Sequence, residues 1–515
     1  DFGIKGLRTD SGFTRKNYSD VSMLKYASSA AHITGKKFTS SETFTWLTEH
    51  FRTSLSQMKP DLDLMFTCGV NHMFFHGTCY SPKDDPWPGW KFYASIDMSP
   101  TNSIWRDAPS LMQYIERSQS FLQMGQPDND FLVYLPVRDM WAKRSGKGVG
   151  SLIMQFDIHS MDKKAPEFIQ NILNIDHAGF DCDYISEQYL LTTSFVDGML
   201  QTAAGTRYHA LVIPGKCRMT DACRRHIDDL RNSGACIINT TDAASLQEAA
   251  SQELMRSQYG LRAIRRINST GHHYFIANLT PNDVDARIPL AVSYKDARWF
   301  NPMTGEILAA DFNADGIQIS LRSGESMILQ TYDTPLTTRS PRRMLPTSES
   351  KPLTGKWQFS FMESAPQVKG CITLDSITTW EHLPLDSASI TMGTGVYSTT
   401  VRLTKQEAAQ SWAIDLGDVR ESARVYINDR YIGCAWAVPF VLRCGNALHA
   451  GVNQVRIEVT NLPANRISYL DRNHVKWRKF NEINVVDLNY KKNTYETWAP
   501  VKSGLNSTVK FSKIR

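Results

Sequence analysis

The amino-acid sequence lacks several features that would assign the protein to a familiar class. No apolar run reaches 18 residues, so the sequence predicts no membrane span. There is no tract of Lys or Arg, and the net charge is only +5 over 515 residues, which disfavours a nucleic-acid partner. No GxGxxG or P-loop motif follows a predicted strand, so nucleotide binding has no support.

Cysteine is sparse and lacks metal-type spacing. The nine cysteines are an odd number and form no CxxC pair. Cys217, Cys223 and His226 form the nearest cluster, but a fourth ligand is missing, so buried thiols are the favoured interpretation. The count therefore predicts neither a disulfide scaffold nor a metal site, and it leaves the compartment open.

The chain also has no recognisable leader. It opens on Asp1-Phe2-Gly3-Ile4, without Met and without a charged-then-apolar segment. We interpret it as a processed or truncated chain and expect further polypeptide upstream.

The sequence contains enough apolar residues to form several hydrophobic cores. Apolar residues make up 42% and charged residues 21% of the 515 positions, a length that suits about three to four domains. The patterns predict a multidomain α/β plus β fold. Its expected parts are a partial barrel over 1–128, a doubly wound α/β domain over 129–258, a small antiparallel β domain over 259–336, and a linker with a β-sandwich over 337–515.

The first part alternates helical and strand-like patterns. An amphipathic segment over 20–34 stops at Gly35, and a strand-like run over 36–42 follows. A helix over 54–65 leads into the run 70–77, and another helix is predicted over 109–124. Only two or three β/α units fit here, whereas a closed barrel needs eight, so we predict half a (β/α)8 barrel or less at the start of the chain.

The second part reads as apolar strands between helices. Continuous apolar strands are predicted at 131–136, 183–185, 210–214 and 235–238, with helices at 165–177 and 220–233. Such strands are typical of a parallel sheet covered on both faces, as in a flavodoxin-like doubly wound domain.

Beyond residue 259 the helices stop. Strands at 273–278 and 326–332 predict an antiparallel domain, and a polar, Pro-rich linker is expected over 333–352. Strand-like runs at 399–403, 411–415, 423–427, 438–442 and 454–459 predict a β-sandwich. Trp412 and Trp436 could lie in its core or bind glycan.

One segment copies the start of a calcium loop. Asp311, Asn313, Asp315 and Gly316 have the right spacing, but the Glu expected at position 12 falls on Arg322. A hairpin turn at Asp315-Gly316 is the favoured alternative.

The candidate catalytic residues lie at the ends of predicted strands. Glu42 closes the run 36–42, and Phe38, Phe44 and Trp46 flank it. Carboxyl ends of barrel strands carry catalytic groups, and a general acid for glycoside cleavage needs a partly desolvated, aromatic setting. The alternative is that Glu42 belongs to a helix cap, since Ser40-Ser41-Glu42-Thr43 is also cap chemistry. No second acid is evident at a strand end within 1–128.

Candidate substrate contacts surround this acid in the sequence. They are two imidazoles and an amide on the second strand, and three tryptophans: Asn71, His72, His76, Trp46, Trp87 and Trp90. His76 is nearer the carboxyl end and is either a sugar contact or a packed histidine. His72 lies deeper, which favours a core position. Trp87 and Trp90 flank Pro88-Gly89 in a loop where either could stack on sugar.

These motifs together resemble the large α-L-rhamnosidases of glycoside hydrolase family 106. The likeness runs from residue 1 to about 145 and rests on four stretches: 40–46, 69–78, 86–94 and 102–106. Residues 353–515 are similar to sugar-binding jelly rolls of β-glycosidases, through Gly395-Val396-Tyr397 and Asp429-Arg430-Tyr431-Ile432-Gly433.

The resemblance implies an inverting, exo-acting hydrolase that removes terminal α-L-rhamnose from plant-type polysaccharide in the periplasm or outside the cell. It implies that the chain begins with the C-terminal part of a catalytic (β/α)8 TIM barrel, with a flavodoxin-like domain and β-domains behind it. It also implies calcium (Ca2+) in or near the active site, although no metal ligands are identifiable in the sequence. Glu42 matches a family catalytic glutamate, the general acid. The partner carboxylate is expected upstream of residue 1, so this chain alone is expected to be inactive. The alternatives are another exo-glycosidase of the β-galactosidase type and a non-catalytic carbohydrate-binding fragment.

Overall fold

The structure of the protein, a computed structural model, describes residues 3–8, 21–45, 51–91, 96–142, 161–479 and 494–515. Trp46, a predicted substrate contact, lies outside these ranges. The described residues form parallel sheets with helices in the first half and antiparallel sheets in the second. The prediction of a multidomain α/β plus β chain is confirmed at this level.

The first part is built from helices and a two-stranded parallel sheet. Strand β1 (Ser40–Thr43) pairs with β2 (His72–Phe75) so that Glu42 lies beside Phe74. Its helices are Val21–Leu24, Tyr26–Thr34, Leu55–Thr67 and Ala108–Leu122, with a 3-10 turn at Ser103–Arg106.

Local sequence explains where these helices begin and end. Helix Tyr26–Thr34 stops at Gly35, which adopts the left-handed conformation with φ 70°. Helix Leu55–Thr67 begins with a capping box, in which Ser54 and Gln57 satisfy each other's backbone N–H groups.

The two faces of the β1–β2 sheet differ. On one face Ser41 and Thr43 contact the sulfur atoms of Met65 and Met73, and Thr43 is buried. The opposite face carries Glu42 together with Phe38 and Phe74, whose side chains are 50% and 55% exposed. An apolar face left this open is unusual for a folded domain.

The second part is a four-stranded parallel sheet. In spatial order its strands are Cys236–Ile238, Ala210–Val212, Phe131–Tyr134 and Cys182–Ile185. Phe131, Leu132 and Val133 are fully buried, as expected for a strand covered on both faces. The surrounding helices are Val137–Ala142, Met161–Lys164, Pro166–His177, Glu187–Leu190, Asp221–Asn232, Ala243–Ala249 and Leu254–Ser257. A small antiparallel sheet of Ser194–Val196, Met199–Gln201 and Arg207–Tyr208 was not predicted.

A cluster of buried polar side chains connects the first part to this sheet. His32 Nδ1 lies 3.0 Å from both carboxylate oxygens of Asp183, and the Tyr208 hydroxyl donates to Asp183 at 2.8 Å. Burial alone would raise the pKa of Asp183, but attraction to His32 and the hydrogen bonds from His32 and Tyr208 lower it to about 2. Lys25 adds a buried ion pair to Asp181 at 2.7 Å.

The third part is antiparallel. Its six-stranded sheet contains, in spatial order, Ile307–Ala309, Asp296–Phe300, Ser326–Tyr332, Gly271–Ala277, Arg262–Asn268 and Gln126–Pro127. A second sheet contains Val284–Ile288, Gly316–Leu321 and Phe312–Asn313. Asn313 pairs with Gly316 and accepts from the Asp315 backbone N–H at 2.9 Å, so the calcium-like segment is a hairpin turn.

The last part is two antiparallel sheets that share one core. The larger contains Cys371–Leu374, Trp357–Ala365, Met392–Leu403, Gly451–Thr460, Ser422–Ile427 and Arg430–Ala435. The smaller contains Pro346–Pro352, Lys510–Ile514, Trp412–Asp415 and Val441–Arg443, and a short pair joins Val419–Arg420 to Gly504–Leu505. Helical turns lie at Trp380–His382, Ala388–Ile390, Lys405–Ala408 and Ala464–Arg472.

The prediction of a linker over 333–352 is wrong for its last seven residues. Residues Pro346–Pro352 form an edge strand that pairs with Lys510–Ile514, because the backbone can complete a sheet edge whatever its polar side chains are. Trp412 and Trp436 are both buried, at 7% and 2% exposure. Trp436 contributes to a core shared with the first part and meets the Tyr114 ring at 5.7 Å. Among the described residues, no helix has both the length and the apolar character needed to cross a bilayer.

Candidate active site

Parallel pairing brings two predicted functional groups to one edge of the first sheet. Glu42 is near the carboxyl end of β1, and His76 directly follows β2, where its backbone N–H donates to Thr43 O at 2.9 Å. The Glu42 Oε1 atom lies 3.7 Å from His76 Nδ1. Strand ends of parallel β/α units are where catalytic groups gather, and here an acid and an imidazole lie together.

The backbone after β1 keeps Glu42 accessible. Phe44 has φ 63° and turns into the core, where it stacks on Phe75 at 5.4 Å. Glu42 remains outside with 67% of its side chain exposed, and the Thr45 hydroxyl donates to its Oε1 at 2.6 Å. The expected aromatic shielding of Glu42 is therefore not provided by Phe44, which is buried, or by Phe38, which is half exposed.

The remaining candidates on β2 have different environments. Asn71 is buried, accepts from Thr39 N at 2.8 Å and donates to Lys37 O at 2.9 Å. It ties the start of β1 to β2, so its predicted substrate contact finds no support in this geometry. The His72 ring lies between Phe38 and Phe74, with centroid distances of 5.1 and 4.7 Å. His72 is partly exposed and lies, with these two rings and Glu42, on the open face of the sheet, so the core interpretation of His72 finds no support here.

The two tryptophans lie in a loop that folds back beside the end of β2. We call residues 81–91 the tryptophan loop. Met98 N donates to Gly77 O at 3.1 Å, which joins the far side of the loop to the chain just after His76. Trp87 Nε1 donates to Thr101 O at 2.8 Å, and Trp90 N donates to Ser81 Oγ at 3.1 Å. Both indoles are partly exposed, so each keeps surface that a sugar could contact.

A largely buried lysine side chain that sequence reasoning missed supports this loop. Lys91 Nζ lies 2.5 Å from Asp97 Oδ2 and 2.7 Å from Thr101 Oγ1. Its partners are ordinary polar residues six and ten positions away, so only the fold reveals the network. Thr45 was missed in the same way, because a threonine after a strand carries no signal of its bond to Glu42.

Three carboxylates of the first part are paired with cations. Asp63 bonds Lys59 at 2.7 Å, and burial raises its pKa although Lys59 opposes the rise. Asp97 bonds Lys91, and Asp107 bonds Arg424 at 2.6 Å. These three carboxylates therefore serve as partners of cationic side chains within the fold.

The family resemblance implies a bound calcium ion, which needs a cluster of donor side chains. Within the described ranges, no three His, Cys, Asp or Glu side chains lie close enough together to hold a metal ion. The part of the chain that the structure describes therefore offers no such side-chain cluster for calcium.

Comparison with known proteins agrees with the strand-end motifs. The α-L-rhamnosidase model of glycoside hydrolase family 106 matches residues 7–259. A rhamnosidase structure from Novosphingobium sp. PP1Y superposes with a TM-score of 0.71 at 20% identity, covering 96% of this chain and 49% of that chain. At this identity the likeness shows the fold alone.

A protein of Formosa agariphila, provisionally named a β-glucuronidase, is 26% identical over 220 residues. That match covers 42% of this chain and 16% of the Formosa protein. The chain thus spans about half of the Novosphingobium rhamnosidase and a smaller part of the Formosa protein. On its motifs and on these comparisons, the chain resembles the α-L-rhamnosidases of glycoside hydrolase family 106.

Proposed function

We propose that this chain is the part of a glycoside hydrolase that carries the general acid for removing terminal α-L-rhamnose from plant-type polysaccharide. The observation that carries the proposal is the position of Glu42. It lies accessible at a parallel strand end with His76 beside it, inside the segment that matches the α-L-rhamnosidase model.

The chemistry assigns a role to each group. In inverting hydrolysis one carboxylic acid protonates the leaving oxygen while a second carboxylate activates water on the opposite face, about 6.5–9.5 Å away. Glu42 protonates the leaving oxygen, and Thr45 holds its Oε1 atom. His76 binds a sugar hydroxyl at the same edge, and Trp87 and Trp90 offer apolar ring surface to the sugar. We place the second carboxylate, and the ligands of any calcium, outside the described residues.

The architecture we propose follows the same resemblance. Residues 1–128 belong to a (β/α)8 barrel and 129–258 to a flavodoxin-like domain, followed by a small antiparallel domain and a jelly roll. A polysaccharide substrate places the protein in the periplasm or outside the cell.

Two other functions remain to be discriminated. An exo-glycosidase of the β-galactosidase type would use the same kind of acid on another sugar, and a non-catalytic fragment would only bind carbohydrate. The provisional name of the Formosa protein adds the β-glucuronide to the sugars worth testing.

A substrate panel tests the proposal. The chain, and any longer protein that contains it, is assayed on aryl α-L-rhamnoside, β-D-galactoside and β-D-glucuronide, and binding of free rhamnose is measured by calorimetry. We expect binding of rhamnose in preference to galactose and glucuronate, and turnover of the rhamnoside alone by the longer protein. Preference for either of the other two sugars would refute the rhamnose assignment.

A further inference from the structure

Two segments near the end of the chain lie against the tryptophan loop, one through an ion pair and both through the Phe51 ring, although they are almost 400 residues away in sequence. We call residues 471–479 and 494–498 the C-terminal clamp. Lys479 Nζ lies 3.0 Å from Asp85 Oδ1 in the loop. The Phe51 ring is buried between the two regions, 6.3 Å from the Trp87 ring and 5.8 Å from the Trp477 ring.

One carboxylate organises the clamp. Asp471 ends the helix Ala464–Arg472, and its oxygens accept from Trp477 Nε1 at 2.5 Å and from Tyr495 N at 2.7 Å. Only 8% of the Asp471 side chain is exposed. Both halves of the clamp are therefore fixed to the same helix end by charge-assisted hydrogen bonds.

The aromatic faces of the clamp are covered by protein groups. Trp498 stacks on Tyr495 at 4.2 Å and has the Arg52 guanidinium 4.9 Å from its ring centroid. Trp477 has the Arg478 guanidinium at 4.3 Å. Rings covered in this way are packed against other protein groups. They support neighbouring groups and do not present a surface to sugar.

The tryptophan loop is also bonded to Thr101, which follows it in the chain. Trp87 donates to the carbonyl of Thr101, and the hydroxyl of Thr101 accepts from Lys91 Nζ. Trp87 is thus held on one side by Thr101 and on the other by Phe51 and the clamp.

We propose that the C-terminal clamp is a positioning element for the substrate-binding tryptophan loop, with Lys479 as its positioning residue. The inference rests on the proposed function in one respect, that the loop contacts the sugar. The C-terminal part thereby helps to determine which sugar is accepted without touching it.

Fluorine NMR of the full 515-residue chain labelled with 5-fluorotryptophan tests the position of the loop. The Trp87 signal is assigned by its loss in Trp87→Phe. We expect Lys479→Ala to shift that signal and the double change Asp85→Lys with Lys479→Asp to return it toward its original position. Lys513→Ala is the matched control, because Lys513 forms a 3.0 Å ion pair with Glu349 away from the loop. A Trp87 signal unmoved by both Lys479→Ala and Asp471→Asn would overturn the proposal.

Calorimetric titration with L-rhamnose is the second measurement. Lys479→Ala should weaken binding by at most about fivefold, the range for one partly exposed ion pair, and the charge exchange should restore it. A moved Trp87 signal with unchanged affinity would overturn the link to specificity. If the unaltered chain binds no rhamnose, the proposed function fails, while the fluorine signal still decides whether the clamp positions the loop.

Discussion

The Oε1 atom of Glu42 lies 3.7 Å from Nδ1 of His76, beyond the usual hydrogen-bond range. The Thr45 hydroxyl is closer, at 2.6 Å. The Oε1 atom is therefore held by Thr45 and faces His76 across a slightly longer gap, so a bound sugar hydroxyl or a small rotation could join the acid to the imidazole.

The first prediction concerns Glu42 in a catalytically competent longer protein. Glu42→Gln should reduce turnover of natural rhamnosides by several orders of magnitude, because a poor leaving group needs protonation. The loss should be smaller on an activated aryl rhamnoside. Steady-state kinetics on both substrates checks this, and Glu116→Gln, an exposed change on helix Ala108–Leu122, is the control. Near-normal turnover of an oligosaccharide by Glu42→Gln would show that another group is the acid.

The second prediction is that the 515-residue chain alone does not hydrolyse aryl α-L-rhamnoside. Glu42 is 67% exposed and its described sheet has only two strands, so water is not excluded from the acid. The assay is run with and without added calcium. Turnover that Glu42→Gln abolishes would mean that the second carboxylate lies within this chain.

The third prediction uses the glycine between the two loop tryptophans. Gly89 has φ 76°, and a Cβ there would overlap Ser81 Oγ, which accepts from Trp90 N. Gly89→Ala should weaken rhamnose binding and move the Trp90 fluorine signal. Gly198→Ala, at φ 77° with nothing within 4 Å, carries the same backbone strain without the overlap. Equal effects of the two changes would remove the role assigned to Ser81.

The fourth prediction concerns acid stability. The pKa of Asp183 is lowered to about 2 in the folded chain, against about 3.9 when unfolded, so its contribution is complete above pH 4 and is lost as the pH falls toward 2. Asp183→Asn should cost about 3–5 kcal/mol at neutral pH, because it breaks a buried pair.

Thermal unfolding of both proteins between pH 3 and 7 measures this effect. The advantage of the unaltered chain should shrink below about pH 4. Asp228→Asn, which alters an exposed pair with Arg231, should have little effect. An advantage that stays constant down to pH 3 would contradict the assignment.

The fifth prediction corrects the boundary of the C-terminal sandwich. A fragment of residues 344–515 should melt cooperatively and at a higher temperature than 353–515, because only the longer one contains the strand Pro346–Pro352. Both should melt below the whole chain, since each exposes Trp436, which packs on Tyr114. Calorimetry of the three proteins measures this. Equal melting of the two fragments would show that the edge strand adds no stability.

Local patterns predicted much of the fold. The capping box at Ser54 and Gln57 and the stop at Gly35 are short-range signals, and the helices begin and end there. The strand Ser326–Tyr332 was predicted with its observed bounds. The strand Pro346–Pro352 was missed because its polar side chains are mostly exposed and its pairing depends on residues more than 150 positions later.

The candidate site was predictable only in part. Glu42 and His76 lie at strand ends that the sequence indicates, and parallel pairing brings them together. The exposure of Glu42 was not predictable from its aromatic neighbours, because Phe44 turns inward at a positive φ. The contact of Asp85 with Lys479 has no local signal at all, since it depends on how distant parts of the chain pack.

The open face and edges of the β1–β2 sheet have a consequence for handling the protein. Phe38 and Phe74 are half exposed beside a described sheet of two strands, and such an edge can template strands from other molecules. At high protein concentration the chain should therefore self-associate through this face, and its sedimentation and its apparent inactivity would both depend on concentration. Activity measured on dilute samples, with Phe74→Ser as a variant that self-associates less, would separate the two causes of inactivity. One is the lack of a catalytic group, and the other is self-association of the chain.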